Sequence, residues 1–260
     1  MDRLNRFSLA GKSALLVGPE GLYGHPIAQA LCEAGAKLYV GTKTAEAGNM
    51  AAGRLKNHSA EALTYSPIDE KSIFAMFDAI LLKEGKLDIY VDNSTNTFAG
   101  SWDEEADVLE RNLRDNQNGV IVLARTAGEA MEKTNTPGSV IFVSSIYGYV
   151  GPDVQTLSEN EQFHKLFAID HSFIKGGYIN YARQCSSFLG RFGARANVLC
   201  MGPVAEGNPD GYVKEMIRLT TLHRLANEED IQGPLVFLAS DASSYVAGVT
   251  LLVDGGYAAK

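Results

Sequence analysis

The segment GPEGLYG carries Gly18, Gly21, Leu22 and Gly24 between the apolar run Lys12–Val17 and the helical pattern Pro26–Ala34. Glycine permits positive φ and lets the backbone approach a ligand closely. A helix N-terminus adds free N–H groups and the positive end of a dipole. Strand, glycine turn and helix in that order suit a pyrophosphate; a plain tight turn is the alternative. Glu20, inside the turn, is an anion that does not help a phosphate. After the next apolar run, Lys37–Val40, comes Gly41-Thr42-Lys43. A carboxylate at that point would accept from an adenosine ribose 2′-OH. Thr42 and the cation Lys43 stand there instead, which leans the reading to NADP(H) over NAD(H). A merely solvated lysine is the plain alternative.

Other reactive residues are scattered. Cys32, Cys185 and Cys200 are odd in number and far apart, so no disulfide framework is expected. No Cys/His spacing suggests zinc, and no metal is expected. His25, His58, His164 and His223 share no spacing and read as surface or loop residues.

The elements that must position these residues alternate along the chain. Strands are expected at Lys12–Val17, Lys37–Val40, Ala62–Tyr65, Leu87–Val91, Val140–Val143, Arg195–Leu199 and Thr250–Val253. Helices are expected at Pro26–Ala34, Thr44–Asn57, Lys71–Glu84, about Glu104–Met131, His164–Phe192, Pro209–Leu219 and Glu228–Ser240, with a polar loop at Tyr147–Glu161. Such alternation implies an α/β fold, a Rossmann-like doubly wound parallel sheet of about seven strands with helices on both faces. Ligands then sit at the carboxyl ends of the strands. No linker or repeat divides the 260 residues, so one domain over 1–260 is expected.

The charge balance, 31 acidic against 23 basic residues for a net −8, argues against a nucleic-acid partner. The start of the chain has no signal-peptide apolar region, and no apolar run is long enough for a membrane span. A cytoplasmic location with no membrane partner is the expectation.

Four segments carry a resemblance to the short-chain dehydrogenase/reductase family: LAGKSALLVG at the start, GKLDIYVDNS at Gly85–Ser94, GSVIFVSSIYG at Gly138–Gly148, and FLASDASSYVAGVTLLVDGG from Phe237. The likeness runs over nearly the whole chain, with glycines in the GxxGxxG variant. It implies an NAD(P)(H)-dependent oxidoreductase acting on a small hydroxyl or carbonyl substrate. Phe142–Tyr149 with Pro152–Asp153 further resembles a branch associated with surface-sugar modification, which points to a sugar derivative. The resemblance implies a homo-oligomer, dimer or tetramer. It places Asn93, Gly202, Val204 and Lys175 with the glycine turn, Thr42 and Lys43 against the cofactor.

The family's active site is an Asn, Ser, Tyr, Lys tetrad. By resemblance Asn116 is the water-holding asparagine that positions the lysine, and Ser145 the serine that hydrogen-bonds the substrate oxygen. Lys175 is the lysine that holds the nicotinamide ribose and lowers the pKa of the acid/base. At the tyrosine position, four residues earlier on the same helix face, stands His171. Ser145 and His171 are 26 residues apart, wider than usual, which implies an inserted loop over 146–163 near the substrate cleft. Tyr39 and Lys43 share the YxxxK spacing but lie on a strand, and no tyrosine stands before Lys175 at the wider spacing of enoyl reductases. The family's NNAG turn appears as Asp92-Asn93-Ser94-Thr95, and its PG as Met201-Gly202, with Glu206 where a threonine is usual.

A histidine has an ordinary pKa near 6.5, and both burial and the Lys175 cation push it down. The resulting neutral imidazole is a poor proton donor and a competent base, so hydroxyl oxidation is the easier direction. Its rate is expected to fall in acid with an apparent pKa at or below the free histidine value. Three readings stay open. His171 is the general acid/base; or Tyr147 or Tyr149 supplies the proton; or catalysis has lapsed and the chain is a nucleotide-binding or scaffold protein. Tyr178 and Tyr181 read as core or subunit contact.

Overall fold

A computed structural model describes residues 3–55, 57–94, 103–153 and 168–259. Among them, seven strands form one parallel sheet: β1 (Ser13–Val17), β2 (Lys37–Thr42), β3 (Ala60–Thr64), β4 (Ile89–Asp92), β5 (Ser139–Ser145), β6 (Arg195–Met201) and β7 (Thr250–Val253). Their order is β3-β2-β1-β4-β5-β6-β7, so the winding reverses between β1 and β4. The continuous apolar runs explain this arrangement, because parallel strands are covered on both faces. All five residues of β1 are buried.

Successive side chains point to opposite faces. Tyr90, Phe142 and Val198 enter one apolar core with α3 (Glu70–Glu84), α5 (Gly119–Lys133) and α6 (His171–Leu189). Their neighbours Val91, Ile141 and Leu199 enter the other, with α1 (Gly24–Glu33) and α8 (Glu228–Ala239). Short helices α2 (Ala45–Gly53), α4 (Ala106–Leu113) and α7 (Asp210–Leu219) complete the described set. The caps are local: Thr44 accepts from Ala47 N–H before α2, and Gly85 closes α3 in the left-handed region. Asn227 and Asp230 form a capping box on α8.

The long helical region expected over about Glu104–Met131 is present, and it divides into α4, a π-helical turn at Arg114–Asn118, and α5. The apolar period runs through the break, but Asp115, Asn116 and Gly119 are weak helix formers, and a Cβ on Gly119 would stand 2.9 Å from Pro67 Cβ. The second helix, α2, ends at Gly53, short of Asn57. Within the expected loop, Ile146–Gly148 forms a 3-10 turn capped by Ser145. Residues 154–163 of the expected insertion lie outside the described residues, as do His164 and Thr95.

Candidate active site

The glycine turn packs onto the end of β4 at the point where the winding reverses. Gly18 has φ +75°, and a Cβ there would lie 2.5 Å from Asn93 O. The Asn93 amide Nδ2 donates to Gly18 O at 2.8 Å. A Cβ on Gly21 would meet that same amide at 2.9 Å. The turn therefore needs glycine for both conformation and space. Gly18→Ala is expected to destabilise by at least about 1–2 kcal/mol from the left-handed backbone alone, before the clash. A thermal unfolding midpoint several degrees lower would show it; an unchanged midpoint would refute it. No side chain caps α1, whose N-terminus follows Tyr23. In its first turn Pro26 has no N–H, and Gly24 and Ile27 donate to Gly21 O and Tyr23 O, which leaves the His25 N–H and the positive end of the helix facing an anion.

Around this turn stand the other residues expected against a cofactor. Leu22 is exposed. Thr42 is fully buried, and its hydroxyl donates to Thr44 O at 2.8 Å, so it shapes the turn after β2. Lys43 is exposed beside it. Gly202 presses on the end of β7: a Cβ would lie 2.7 Å from Asp254 Cα. Val204 is half-buried and bridges to Ala226. Glu206 is exposed, so it need not confront a phosphate.

The reactive side chains gather where β5 meets α6. Ser144 Oγ donates to Lys175 O at 2.9 Å. A Cβ on Gly148 would lie 2.6 Å from Lys175 C, so the turn after β5 lies directly on the α6 backbone. These contacts draw Ser145 toward the start of α6. Ser145 is half-buried, and its Oγ accepts from Tyr147 N–H at 3.2 Å. Its own O–H is still a donor. Lys175 is 5% exposed; its Nζ donates to Val143 O at 3.1 Å and lies 4.7 Å from the Tyr178 ring centroid. Asn116 is buried in the π-helical turn and its Nδ2 donates to Asn112 O at 2.9 Å. Asn112 Nδ2 in turn donates to Asp170 Oδ2 at 3.1 Å, immediately before His171. This chain of contacts ties the asparagine segment to the start of α6.

His171 is the first residue of α6, one turn before Lys175. Burial, and then the Lys175 cation, push its pKa down to about 4. Burial pushes Lys175 down to about 8, against the opposing pull of Asp92. The imidazole is therefore neutral at pH 7, able to accept a proton and poor at donating one. Its ring meets Tyr147 edge-on, centroids 6.3 Å apart.

Tyr147 does not carry the signature of the family's tyrosine. Its hydroxyl shares a hydrogen bond with Tyr212 at 3.0 Å and bonds Tyr257, and burial foremost raises its pKa. Tyr149 is exposed. Tyr178 is core, and Tyr181 packs edge-on against Phe142. Tyr39 bonds Glu84, away from the site. His25 is half-buried in α1; His58 and His223 are exposed. Tyr212 and Tyr257, which wall the His171 side through Tyr147, were not legible. Tyr257 follows the final strand, and no spacing links it to a loop more than a hundred residues earlier. The three cysteines are free thiols. Among the described residues, no group of three or more His, Cys, Asp or Glu could hold a metal, and no helix is long and apolar enough to cross a membrane.

A glycine turn and uncapped helix at the reversal of a doubly wound sheet, beside a serine and a buried lysine, define a nucleotide-binding α/β protein. A family model described as enoyl-(acyl carrier protein) reductase matches residues 23–258. The chain belongs to the short-chain dehydrogenase/reductase family. Among its curated relatives, an L-rhamnose 1-dehydrogenase (NAD(P)(+)) of Sphingomonas sp. (strain SKA58) is 34% identical over 179 residues. That match covers 66% of this chain and 65% of the relative, just under two thirds of its length. An L-rhamnose 1-dehydrogenase (NAD(P)(+)) of Azotobacter vinelandii is 28% identical over 261 residues, 95% of this chain and 97% of the other. In fold, the chain is similar to a gluconate 5-dehydrogenase from Burkholderia cenocepacia J2315 solved in complex with NADP and tartrate. The TM-score is 0.86, with 24% identity over 99% of each chain.

Proposed function

We propose that this chain is an NAD(P)(H)-dependent oxidoreductase acting on a small hydroxyl or carbonyl substrate of the sugar type. The observation that carries the reading is the buried Lys175 ammonium, held by Val143 O beside Ser145 and one turn after His171. The two L-rhamnose dehydrogenase relatives support a sugar-like substrate and a nicotinamide cofactor.

The residues present fit that cofactor. The Gly18–Gly24 turn and the positive end of α1 would hold its pyrophosphate, with Asn93, Gly202 and Val204 around it. Lys43, exposed after β2 where no carboxylate stands, favours a 2′-phosphate and so NADP(H). Lys175 would hold the nicotinamide ribose. The cofactor, when bound, supplies or accepts the hydride. Ser145 O–H donates to the substrate oxygen, and His171, standing where the family pattern has tyrosine, takes the hydroxyl proton during oxidation. Asn116 steadies the Lys175 end of the relay from the π-helical turn.

Nicotinamide fluorescence titration tests this reading. Saturable binding of NADPH, tighter than NADH, is expected; no binding of either at millimolar concentration overturns it. His171→Tyr is expected to raise carbonyl reduction at pH 7 by about 10²–10⁴-fold, the range of general acid catalysis, measured on a panel of sugars and their oxidised forms. An unchanged rate with cofactor still bound would refute that role.

The low pKa of His171 favours a second reading, a lapsed family member that binds a nucleotide without turnover. Cofactor-dependent turnover lost in both Lys175→Met and His171→Phe excludes it. A homo-oligomer, dimer or tetramer, is proposed through α5 and α6, where Ile121 and Phe188 are exposed apolar residues. The free thiols suit a reducing cytoplasm, and the net charge of −8 suits no nucleic-acid partner.

A further inference from the structure

Tyr147 sits in the 3-10 turn Ile146–Gly148, two residues after Ser145. Ser145 Oγ accepts from its N–H at 3.2 Å, and the turn rests on the α6 backbone at Gly148. The backbone of Tyr147 is thus fixed from the serine side. Its side chain then reaches three other elements. The ring meets the His171 imidazole, at the start of α6, edge-on at 71°. It stands perpendicular to the ring of Tyr257, which opens the 3-10 turn Tyr257–Ala259 after β7, with centroids 6.3 Å apart. The hydroxyl lies 3.0 Å from the Tyr212 hydroxyl and 3.5 Å from Met216 Sδ, one turn apart on α7.

Three partners suit that hydroxyl. A phenol donates once and accepts through its lone pairs, so it can serve the thioether by donation and the Tyr212 and Tyr257 hydroxyls by acceptance. Tyr212 and Met216 are buried, and Tyr257 packs against them with Leu219 and Leu225. The far end of the Tyr147 ring is therefore anchored in a small apolar cluster of its own, apart from the two cores that flank the sheet.

His171 needs such a neighbour. A helical side chain packs back over the turn that precedes it. His171 is the first residue of α6, so its own helix offers no preceding turn. Its orientation is set from outside the helix, and a ring pinned at both backbone and hydroxyl supplies a fixed surface in the edge-on geometry that aromatic pairs favour. A general base must be aimed before its basicity counts. We propose that Tyr147 is a positioning residue: it aims the His171 imidazole, and through its hydroxyl it transmits to that imidazole the placement of α7 and of the Tyr257 turn. Tyr147 then acts without giving up a proton. Its part in catalysis rests on the function proposed above, whereas the aiming of the ring does not.

The test is the ¹H–¹³C spectrum of the histidine rings in the full chain at pH 7, with His171→Gln identifying the signal. In the wild type the His171 ring protons are expected to show a nuclear Overhauser contact to the Tyr147 ring, and its absence overturns the proposal. Tyr212→Phe removes one hydroxyl on α7 and leaves Tyr147 whole. It is expected to shift the His171 ring signals and weaken that contact. Tyr147→Phe is expected to do the same, and the double variant to add little, because both remove one shared bond. A hydroxyl pair that serves stability alone would lower the unfolding midpoint and leave the His171 signals in place, and this result overturns the proposal. If either variant does not fold, Tyr257→Phe takes its place with the same expected shift and the same refutation. On the sugar panel, Tyr212→Phe is expected to lower kcat by about tenfold, the equivalent of one net hydrogen bond, with NADPH affinity unchanged. An unchanged kcat overturns the catalytic part. A wild-type chain without turnover would sink the proposed function and leave the spectra to decide the positioning.

Discussion

Lys175→Met is expected to lower kcat/KM by about 10²–10⁴-fold, the scale of a lost acid/base relay, and to weaken cofactor binding. Methionine matches the length and apolar stem of lysine but carries neither charge nor donor. The variant loses the Nζ bond to Val143 O and the cation that neighbours His171. It leaves the buried Val143 carbonyl without that donor, so a lower unfolding midpoint is expected as well. Turnover that persists in Lys175→Met would remove the lysine from the mechanism. A variant as stable as wild type would deny that the bond to Val143 O supports the fold.

The rate of hydroxyl oxidation is expected to follow a broad bell, with an acid limb near pH 4 and an alkaline limb near pH 8. His171 must be unprotonated to accept a proton, so activity is present above its pKa and lost below it. Lys175 must be protonated to hold a ribose oxygen, so cofactor affinity declines above its own pKa. The structure places the acid limb well below the ordinary histidine value of about 6.5, which makes pH 5 to 7 a plateau. The check is kcat/KM from pH 3.5 to 9.5, with a primary deuterium isotope effect showing that chemistry limits the rate. An acid limb near 6.5 would mean that His171 titrates as a solvated histidine, against its burial beside Lys175. Folding is linked to the same group. A histidine whose folded pKa lies below its unfolded one contributes stability above about pH 6.5 that is lost as pH falls through the window toward 4. The unfolding midpoint must therefore be measured at each acid point.

Much of the fold was legible because it rests on local patterns. Runs such as SALLV and VIFV are apolar without alternation, and only a strand covered on both faces suits them. The glycine turn was legible for the same reason: Gly18 needs a conformation that other residues resist. Lys175 followed from its flanking letters. What escaped depends on partners distant in sequence. Tyr147, placed among candidate proton donors, is held by Tyr212 and Tyr257 from two later elements. The break at Arg114–Asn118 escaped because apolar residues continue at helical spacing on either side.

That break also fixes how the chain tolerates change in length. A π-helical turn holds one more residue than the α-helical turn it replaces, and each residue rotates a helix by about 100°. The wider turn therefore absorbs one residue without rotating α5 against α4. Were the same residues to wind as an unbroken α-helix, one flank would turn by about a quarter-circle. With α4 in place, Leu123 and Ala127 would leave the core; with α5 in place, Asn112 would leave Asp170. Deleting one residue of Arg114–Asn118 would instead let an unbroken α-helix form with both flanks in phase. Asn116 thus sits at a joint between two registers, and the reading frame of the helix, as much as the identity of its asparagine, is part of the site.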